Sequence, residues 1–153
     1  MLIKFAWLSL AQHGVIDPLR QVNNDMTEKP AAANFADNDI HALFDAIDNR
    51  DTERFTGFLA PGVNFRFANA DTVTGRSEVA AAVSGFFSSI RALSHQVQRI
   101  IHQAPYVICE GRVTYTRHDA SELEVPFLNL FEIRDGLIED YRIYIDASAL
   151  YAG

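Results

Sequence analysis

The spacing of apolar residues along the chain changes between a helical period and a strand period. In three segments apolar residues recur every three or four positions, which places them on one face of a helix. These segments predict helices over residues 37–50, 52–59 and 77–90. Asp51 and Ser77 are suited to cap the second and third helices, because their side chains accept hydrogen bonds from free backbone N–H groups.

In the remaining segments apolar and polar residues alternate, which is typical of strands with one buried face. A strand is predicted at residues 63–67, with residues 72–74 as its hairpin partner. Four further strands are predicted at residues 95–102, 106–117, 122–133 and 137–145. Asp135-Gly136 joins the last two and favours a type I′ turn, which needs positive φ at both positions. Helices combined with an antiparallel meander indicate an α+β fold.

The composition is that of one globular domain. The chain has 153 residues, enough for a substantial core, and a formal net charge of −7 without a cluster of Lys and Arg. That balance predicts no nucleic-acid partner. The sequence contains no run of about 20 apolar residues, so no membrane span is predicted. The single cysteine, Cys109, excludes an intrachain disulfide and fits a cytoplasmic location.

The beginning of the chain differs from the rest. Residues 1–35 are predicted to be an extension or leader, and residues 36–150 to form one domain. The apolar run within the first eleven residues is at the short limit for a secretory signal and has only one lysine before it. Met26 begins a polar segment that is more typical of a translation start. We therefore expect residues 1–25 to be an extension or the product of an over-long translation start.

Two motifs carry a resemblance to a known superfamily. The helix start Gly75-Arg76-Ser77-Glu78-Val79 and the hairpin Phe131-Glu-Ile-Arg-Asp-Gly-Leu-Ile138, in this order of elements, resemble the nuclear transport factor 2-like superfamily. Within it the chain is similar to the SnoaL-like group, which is related to polyketide cyclases, ketosteroid isomerases and limonene epoxide hydrolases. The resemblance implies a cone-shaped, curved, mostly antiparallel sheet packed on three N-terminal helices. It also implies a small, largely apolar carbonyl-type ligand and no cofactor.

Strand alternation selects the residues that face the cone. Asn129 shares a strand face with Phe127 and Phe131, and Tyr141 shares one with Ile143. If these apolar side chains line the cone, Asn129 and Tyr141 line it as well. The sequence therefore predicts an amide and a phenol inside an apolar pocket.

Three further residues complete the predicted ligand-binding set. Phe67, on the first strand, is expected to contribute to the apolar lining. The resemblance implies that Arg112 and Thr114 face the pocket as polar anchors. The alternation of their own strand places both on the face opposite Cys109 and Val113, so the resemblance, and not the pattern, selects them.

The carboxylates used by the related enzymes are replaced in this chain. The resemblance aligns the base of ketosteroid isomerases with Phe67, and it aligns their donor aspartate with Asn129. An amide does not titrate, so Asn129 cannot act as a general acid or base. Compared with the limonene epoxide hydrolase pattern, this chain retains the arginine as Arg112 but has Thr114 and Ile143 where the pattern has two aspartates. Epoxide hydrolysis by that route is therefore excluded.

Three readings of the pocket follow. In the first, Asn129 and Tyr141 stabilise an oxyanion while His102 or His41 acts as base in an isomerase, cyclase or dehydratase reaction. In the second, the protein is a non-catalytic ligand-binding or accessory dimer that has lost the catalytic carboxylates. In the third, it is a structural module whose cone is filled by its own side chains.

The histidines and the outer sheet face give two further predictions. The five histidines show no metal-ligand spacing, so no metal site is predicted. His95 and His102 are seven positions apart on one predicted strand, so alternation places them on opposite faces. Residues 125–131 are apolar on both faces apart from Asn129, and such a strand must be covered on both sides. This pattern predicts a homodimer through the outer sheet face.

Overall fold

The structure is a computed structural model that describes residues 35–152. The predicted N-terminal extension lies outside the described residues except for Phe35. The Phe35 ring is buried and packs edge-to-face on Phe58, with ring centroids 6.3 Å apart.

Residues 35–152 fold into three helices and six strands. The helices are α1 (Asp37–Asp48), α2 (Thr52–Thr56) and α3 (Arg76–Ser89), and a 3-10 turn follows at Ser148–Leu150. The strands are β1 (Leu59–Phe67), β2 (Val73–Thr74), β3 (Ala92–Gln103), β4 (Tyr106–Thr116), β5 (Glu122–Arg134) and β6 (Leu137–Ile145). Within residues 35–152, no helix has the length and apolar character needed to span a membrane.

All six strands form one sheet in the order β2-β1-β6-β5-β4-β3. Strands β3 to β6 make the predicted antiparallel meander, while β1 runs parallel to β6 and pairs antiparallel with β2. The helices pack against one face of this sheet, with α1 on β3 and α3 on β1 and β2. The predicted α+β fold with three helices and a mostly antiparallel sheet is confirmed.

One predicted turn and one predicted helix cap are present in the structure. Asp135 and Gly136 have φ values of 51° and 76°, as a type I′ turn requires. Asp51 caps α2, because its side chain accepts the backbone N–H of Arg54 at 2.9 Å.

Helix α2 is shorter than predicted, because the chain enters β1 earlier. Leu59 is fully buried and pairs with Ile138 of β6, and the carbonyl of Phe58 accepts the Ile138 N–H at 2.9 Å. An irregular register between Leu59 and Asn64 accommodates Pro61-Gly62 within the strand. Sheet pairing therefore prevails over the helical pattern of residues 57–59.

The prediction that His95 and His102 point to opposite faces is wrong. A bulge in β3 between Val97 and Arg99 inserts one residue and reverses the alternation beyond it. His95 and His102 consequently lie on the same face of the sheet, toward α1. Each is bonded to one end of that helix, His95 to Asp48 and His102 to Asp37.

Candidate functional site

The concave face of the sheet and the helices enclose an apolar cavity of about 210 Å³. Strands β1 and β3 to β6 form its floor, and α3 forms much of the opposite wall. The exposed residues Ala70, Asp71 and Ala82 line one side, so the cavity opens between the β1–β2 turn and α3. The cone is therefore not filled by its own side chains.

Asn129 and Tyr141 form a hydrogen-bonded pair in the cavity wall. They lie on the adjacent strands β5 and β6, and their side chains are almost completely buried, with 2% and 1% exposed. The Asn129 Nδ2 donates to the Tyr141 hydroxyl at 3.1 Å. The Asn129 Oδ1 has no hydrogen-bond partner among residues 35–152. An unpaired acceptor at this depth is uncommon, because buried polar groups are nearly always paired.

Aromatic rings hold Tyr141 in place. The Phe131 ring centroid lies 4.6 Å from that of Tyr141, and the Phe65 ring meets it edge-to-face at 5.2 Å. Burial, and to a lesser extent the neighbouring Cys109, raises the pKa of Tyr141 well above its ordinary value. The hydroxyl therefore stays protonated and able to donate.

His95 and Asp48 form a second polar pair at the cavity. The His95 Nδ1 lies 2.6 Å from the Asp48 Oδ1, and the backbone N–H of His95 donates to Oδ2 at 2.9 Å. Since a carboxylate only accepts hydrogen bonds, Nδ1 carries a proton, and in the neutral form of the ring Nε2 has a free lone pair. Nε2 makes no hydrogen bond within the described part of the chain. The imidazole lines the cavity, and its side chain is 10% exposed.

Two phenylalanine rings fix the orientation of the imidazole. The ring centroids of Phe44 and Phe127 lie 4.7 Å and 5.2 Å from that of His95, and Phe127 meets it at 82°. Phe127 is two residues from Asn129 on the same strand face, so it lies between the two polar pairs. His95 pairs with Val113 and Asn129 with Cys109, which separates their backbones by about 13 Å along β4.

Several predicted ligand-binding residues line the cavity. Phe67, Phe127 and Ile143 all contribute to its wall, with Asn129 and Tyr141. Phe131 does not reach the cavity. It is completely buried behind Tyr141, where it supports the phenol ring.

Arg112 and Thr114 lie on the other face of the sheet. Residues at odd positions of β4, from Val107 to Tyr115, are buried inward, so the even positions point outward. The Arg112 Nε donates to the Glu124 Oε1 at 2.5 Å on that outer face. Their placement differs from the one that the resemblance implied and agrees with the alternation of the strand.

His41 and His102 lie outside the cavity lining. His41 is exposed on α1, away from the buried stripe of that helix. The His102 Nε2 lies 2.7 Å from the Asp37 Oδ1 at the first residue of α1, and its side chain is 37% exposed. Neither imidazole reaches a ligand in the cavity from this position.

The sequence reasoning did not select His95 as a candidate, although a signal was present. Leu93, His95 and Val97 alternate with polar residues, which places His95 on the apolar face of β3. Asp48 lies near in space only because α1 packs on β3, and no sequence spacing reveals that pairing.

Other reactive groups offer less chemistry. Burial, followed by the charge of Glu110, raises the pKa of the Cys109 thiol to about 12, so it is not a ready nucleophile. Within residues 35–152, no group of three His, Cys, Asp or Glu side chains is arranged to hold a metal ion. The polar pairs at the cavity are therefore the groups suited to act on a ligand.

Comparisons with solved structures identify the same fold in several proteins. TerC co-crystallised with polyporic acid matches with 17% identity, covering 74% of this chain and 92% of that one, at a TM-score of 0.67. A putative SnoaL-like polyketide cyclase from Jannaschia sp. CCS1 matches with 20% identity, 72% and 85% coverage and a TM-score of 0.65. A hypothetical protein with a ketosteroid isomerase-like fold from Catenulispora acidiphila DSM 44928, in complex with trimethylamine, matches with 16% identity, 74% and 88% coverage and a TM-score of 0.68.

Comparison at the level of sequence gives the family. No curated protein matches the chain. A sequence model of the SnoaL-like domain matches residues 40–141, which is more than half of the chain and extends from within α1 to within β6. The chain belongs to the SnoaL-like domain family.

Proposed function

We propose that the protein binds a small, largely apolar carbonyl compound in the cavity and transfers a proton on it, as an isomerase, cyclase or dehydratase does. One observation carries this proposal: the same apolar cavity contains a buried amide–phenol pair and a histidine held by a carboxylate. The first pair suits a ligand oxygen, and the second suits proton transfer.

The Tyr141 hydroxyl is the donor for the carbonyl oxygen. It accepts the hydrogen bond from Asn129, so its own hydrogen is free to point at a ligand. When a proton leaves the ligand, negative charge develops on the carbonyl oxygen. A fixed donor in an apolar cavity stabilises that charge more strongly than water does, because it needs no reorientation.

His95 is the base in this proposal, in place of His102 or His41. The Nε2 lone pair takes a proton from carbon, so that a C–H bond breaks and an N–H bond forms. The electron pair moves through the conjugated bonds of the ligand to the carbonyl oxygen. Asp48 is a positioning residue: it fixes the tautomer and orientation of His95 and stabilises the imidazolium.

The size of the cavity limits the ligand. An apolar cavity of about 150 Å³ is known to hold benzene, so about 210 Å³ suits a compound of one or two rings. The aromatic lining favours a flat or partly flat skeleton. TerC, which shares the fold, was crystallised with polyporic acid, and this supports a small molecule as the occupant of such a cavity.

The outer face of the sheet supports the homodimer that the sequence predicts. Four large apolar side chains are exposed on that face: Ile101, Tyr106, Leu128 and Tyr144. Ile101 pairs with Ile108, which pairs in turn with Leu130, so an apolar band crosses three strands. A second copy of the chain covering this band would remove it from water.

Hydrogen–deuterium exchange tests the proposed reaction. A bicyclic enone in D₂O exchanges the hydrogens on carbons conjugated with its carbonyl, and proton NMR measures the rate. We expect the protein to accelerate exchange and His95→Gln to reduce that acceleration by about 100-fold or more. His102→Gln is the matched control, because it breaks the equivalent Asp–His pair outside the cavity. Equal acceleration by both variants would overturn the assignment of His95.

A further inference from the structure

The hydrogen-bonding capacity of Asn129 is only partly used. An amide side chain has one acceptor oxygen and two N–H donors. Nδ2 donates to Tyr141, whereas Oδ1 has no partner among residues 35–152 and is buried in the wall of the apolar cavity that Asn129 lines. A ligand that occupies the cavity is therefore favoured if it brings a donor to that oxygen.

The neighbouring Tyr141 has the opposite need. Its oxygen accepts from Asn129, which leaves the hydroxyl hydrogen to donate. An acceptor and a donor thus lie side by side on adjacent strands. The complementary ligand carries a hydroxyl group and a carbonyl oxygen on neighbouring atoms.

We propose that the ligand is a neutral hydroxy-carbonyl compound of one or two rings, whose hydroxyl donates to the Asn129 Oδ1 and whose carbonyl oxygen accepts from the Tyr141 hydroxyl. This inference rests on the proposed function, since it names the class of carbonyl compound that the same cavity takes. It goes further, because Asn129 becomes the residue that selects hydroxylated ligands over their unsubstituted relatives.

Rotation of the Asn129 amide by 180° gives the opposite prediction. The Tyr141 hydroxyl would then donate to Oδ1, and Nδ2 would face the ligand with donors alone. Such a site would select ligands that carry only acceptors. A comparison of ligands that differ in a single hydroxyl group separates the two arrangements.

The test uses a matched set of two-ring ketones. The compounds are 2-hydroxy-1-tetralone, 2-methyl-1-tetralone, in which a methyl group of similar size replaces the hydroxyl, and 1-tetralone itself. Isothermal titration calorimetry with the full chain measures the dissociation constant of each. We expect the hydroxy compound to bind at least about tenfold more tightly than the methyl compound, because the latter leaves Oδ1 buried and unpaired.

Two variants assign this preference to a residue. Asn129→Leu removes the acceptor, so the ratio between hydroxy and methyl compounds should fall to about one. Asn64→Leu makes the same chemical change at an exposed position of β1 and should keep the wild-type ratio. Thermal melting of each variant checks that it is folded, and the wild-type comparison stands even if a variant is not.

The outcomes separate this inference from the proposed function. If all three ketones bind wild type equally well, or the methyl compound binds more tightly, the selection of a hydroxyl is wrong while carbonyl binding stands. If none of the ketones binds, the proposed function fails and the inference fails with it. If Asn129→Leu keeps the preference, another residue accepts the hydroxyl and the role of Asn129 is refuted.

Discussion

A double-mutant cycle on Asn129 and Tyr141 measures the cost of the unpaired amide oxygen in the absence of ligand. The two side chains are almost fully buried and share the single hydrogen bond from Nδ2 to the phenol oxygen. Tyr141→Phe removes that bond and leaves the whole amide unpaired. A buried polar group without a partner costs about 1–3 kcal/mol, so we expect this variant to lose about 2 kcal/mol of its free energy of unfolding.

Asn129→Leu should behave differently. It eliminates the unpaired oxygen, which stabilises the fold, but it leaves the Tyr141 hydroxyl without a partner, which destabilises it by a similar amount. The larger leucine side chain can extend into the adjacent cavity of about 210 Å³ without overpacking. Its free energy of unfolding should therefore lie within about 1 kcal/mol of wild type.

The double variant, Asn129→Leu with Tyr141→Phe, removes both polar groups together. It should be more stable than wild type by about 2 kcal/mol, because replacing two buried partners by apolar groups removes every desolvation cost at this position. Urea unfolding at pH 7, at one fixed protein concentration, measures all four proteins. A loss of more than about 2 kcal/mol in both Asn129→Leu and the double variant would refute the reasoning, since it would show that Oδ1 is satisfied in the native protein.

Three other changes have defined outcomes. Gly111→Ala should lower the free energy of unfolding by about 3 kcal/mol, because the added Cβ would clash with the backbone oxygen of Gln96. An unchanged midpoint of urea unfolding would contradict this packing. Burial raises the pKa of Tyr141 and that of Tyr115 above the ordinary 10.0. The contribution of their neutral forms to the free energy of unfolding is therefore complete below about pH 10. It is lost as the pH rises toward the folded-state pKa. Tyr141→Phe should therefore lose less stability than wild type between about pH 10 and pH 12, and equal losses would argue against a buried phenol. Leu128→Asp places a charge on the outer face opposite Glu110, so this variant should be a monomer by light scattering. A variant that remains a dimer, or a wild-type protein that is a monomer, would refute the proposed interface.

The fold was predictable because its signals are local. The apolar period of α1, the Asp135-Gly136 turn and the alternation in β4 and β5 each depend on a few neighbouring residues. The end of α2 was not predictable from the sequence, because pairing of Leu59 with Ile138 overrides the helical pattern. The bulge in β3 was not predictable either, because the sequence spacing of His95 and His102 does not show that one residue between them is unpaired.

The candidate site was predictable in part. Strand alternation placed Asn129 and Tyr141 on the cavity side, and the structure has both in its wall. Arg112 was assigned to the pocket by the family resemblance alone, and the structure places it on the outer face with Glu124. The Asp48–His95 pair depends on how α1 packs against β3, which is a tertiary contact that neither pattern nor resemblance describes.

The most direct test of the proposed site is the carbon-13 resonance of a labelled carbonyl group in a bound ligand. On binding of 1-tetralone labelled at its carbonyl carbon, donation from Tyr141 should shift this resonance downfield relative to the free ketone in an apolar solvent. Tyr141→Phe should abolish the shift while the ketone still binds, and Tyr106→Phe, on the outer face, should keep it. A bound ketone with the resonance of the apolar solvent in wild type, or an unchanged shift in Tyr141→Phe, would contradict the proposed placement of the carbonyl oxygen.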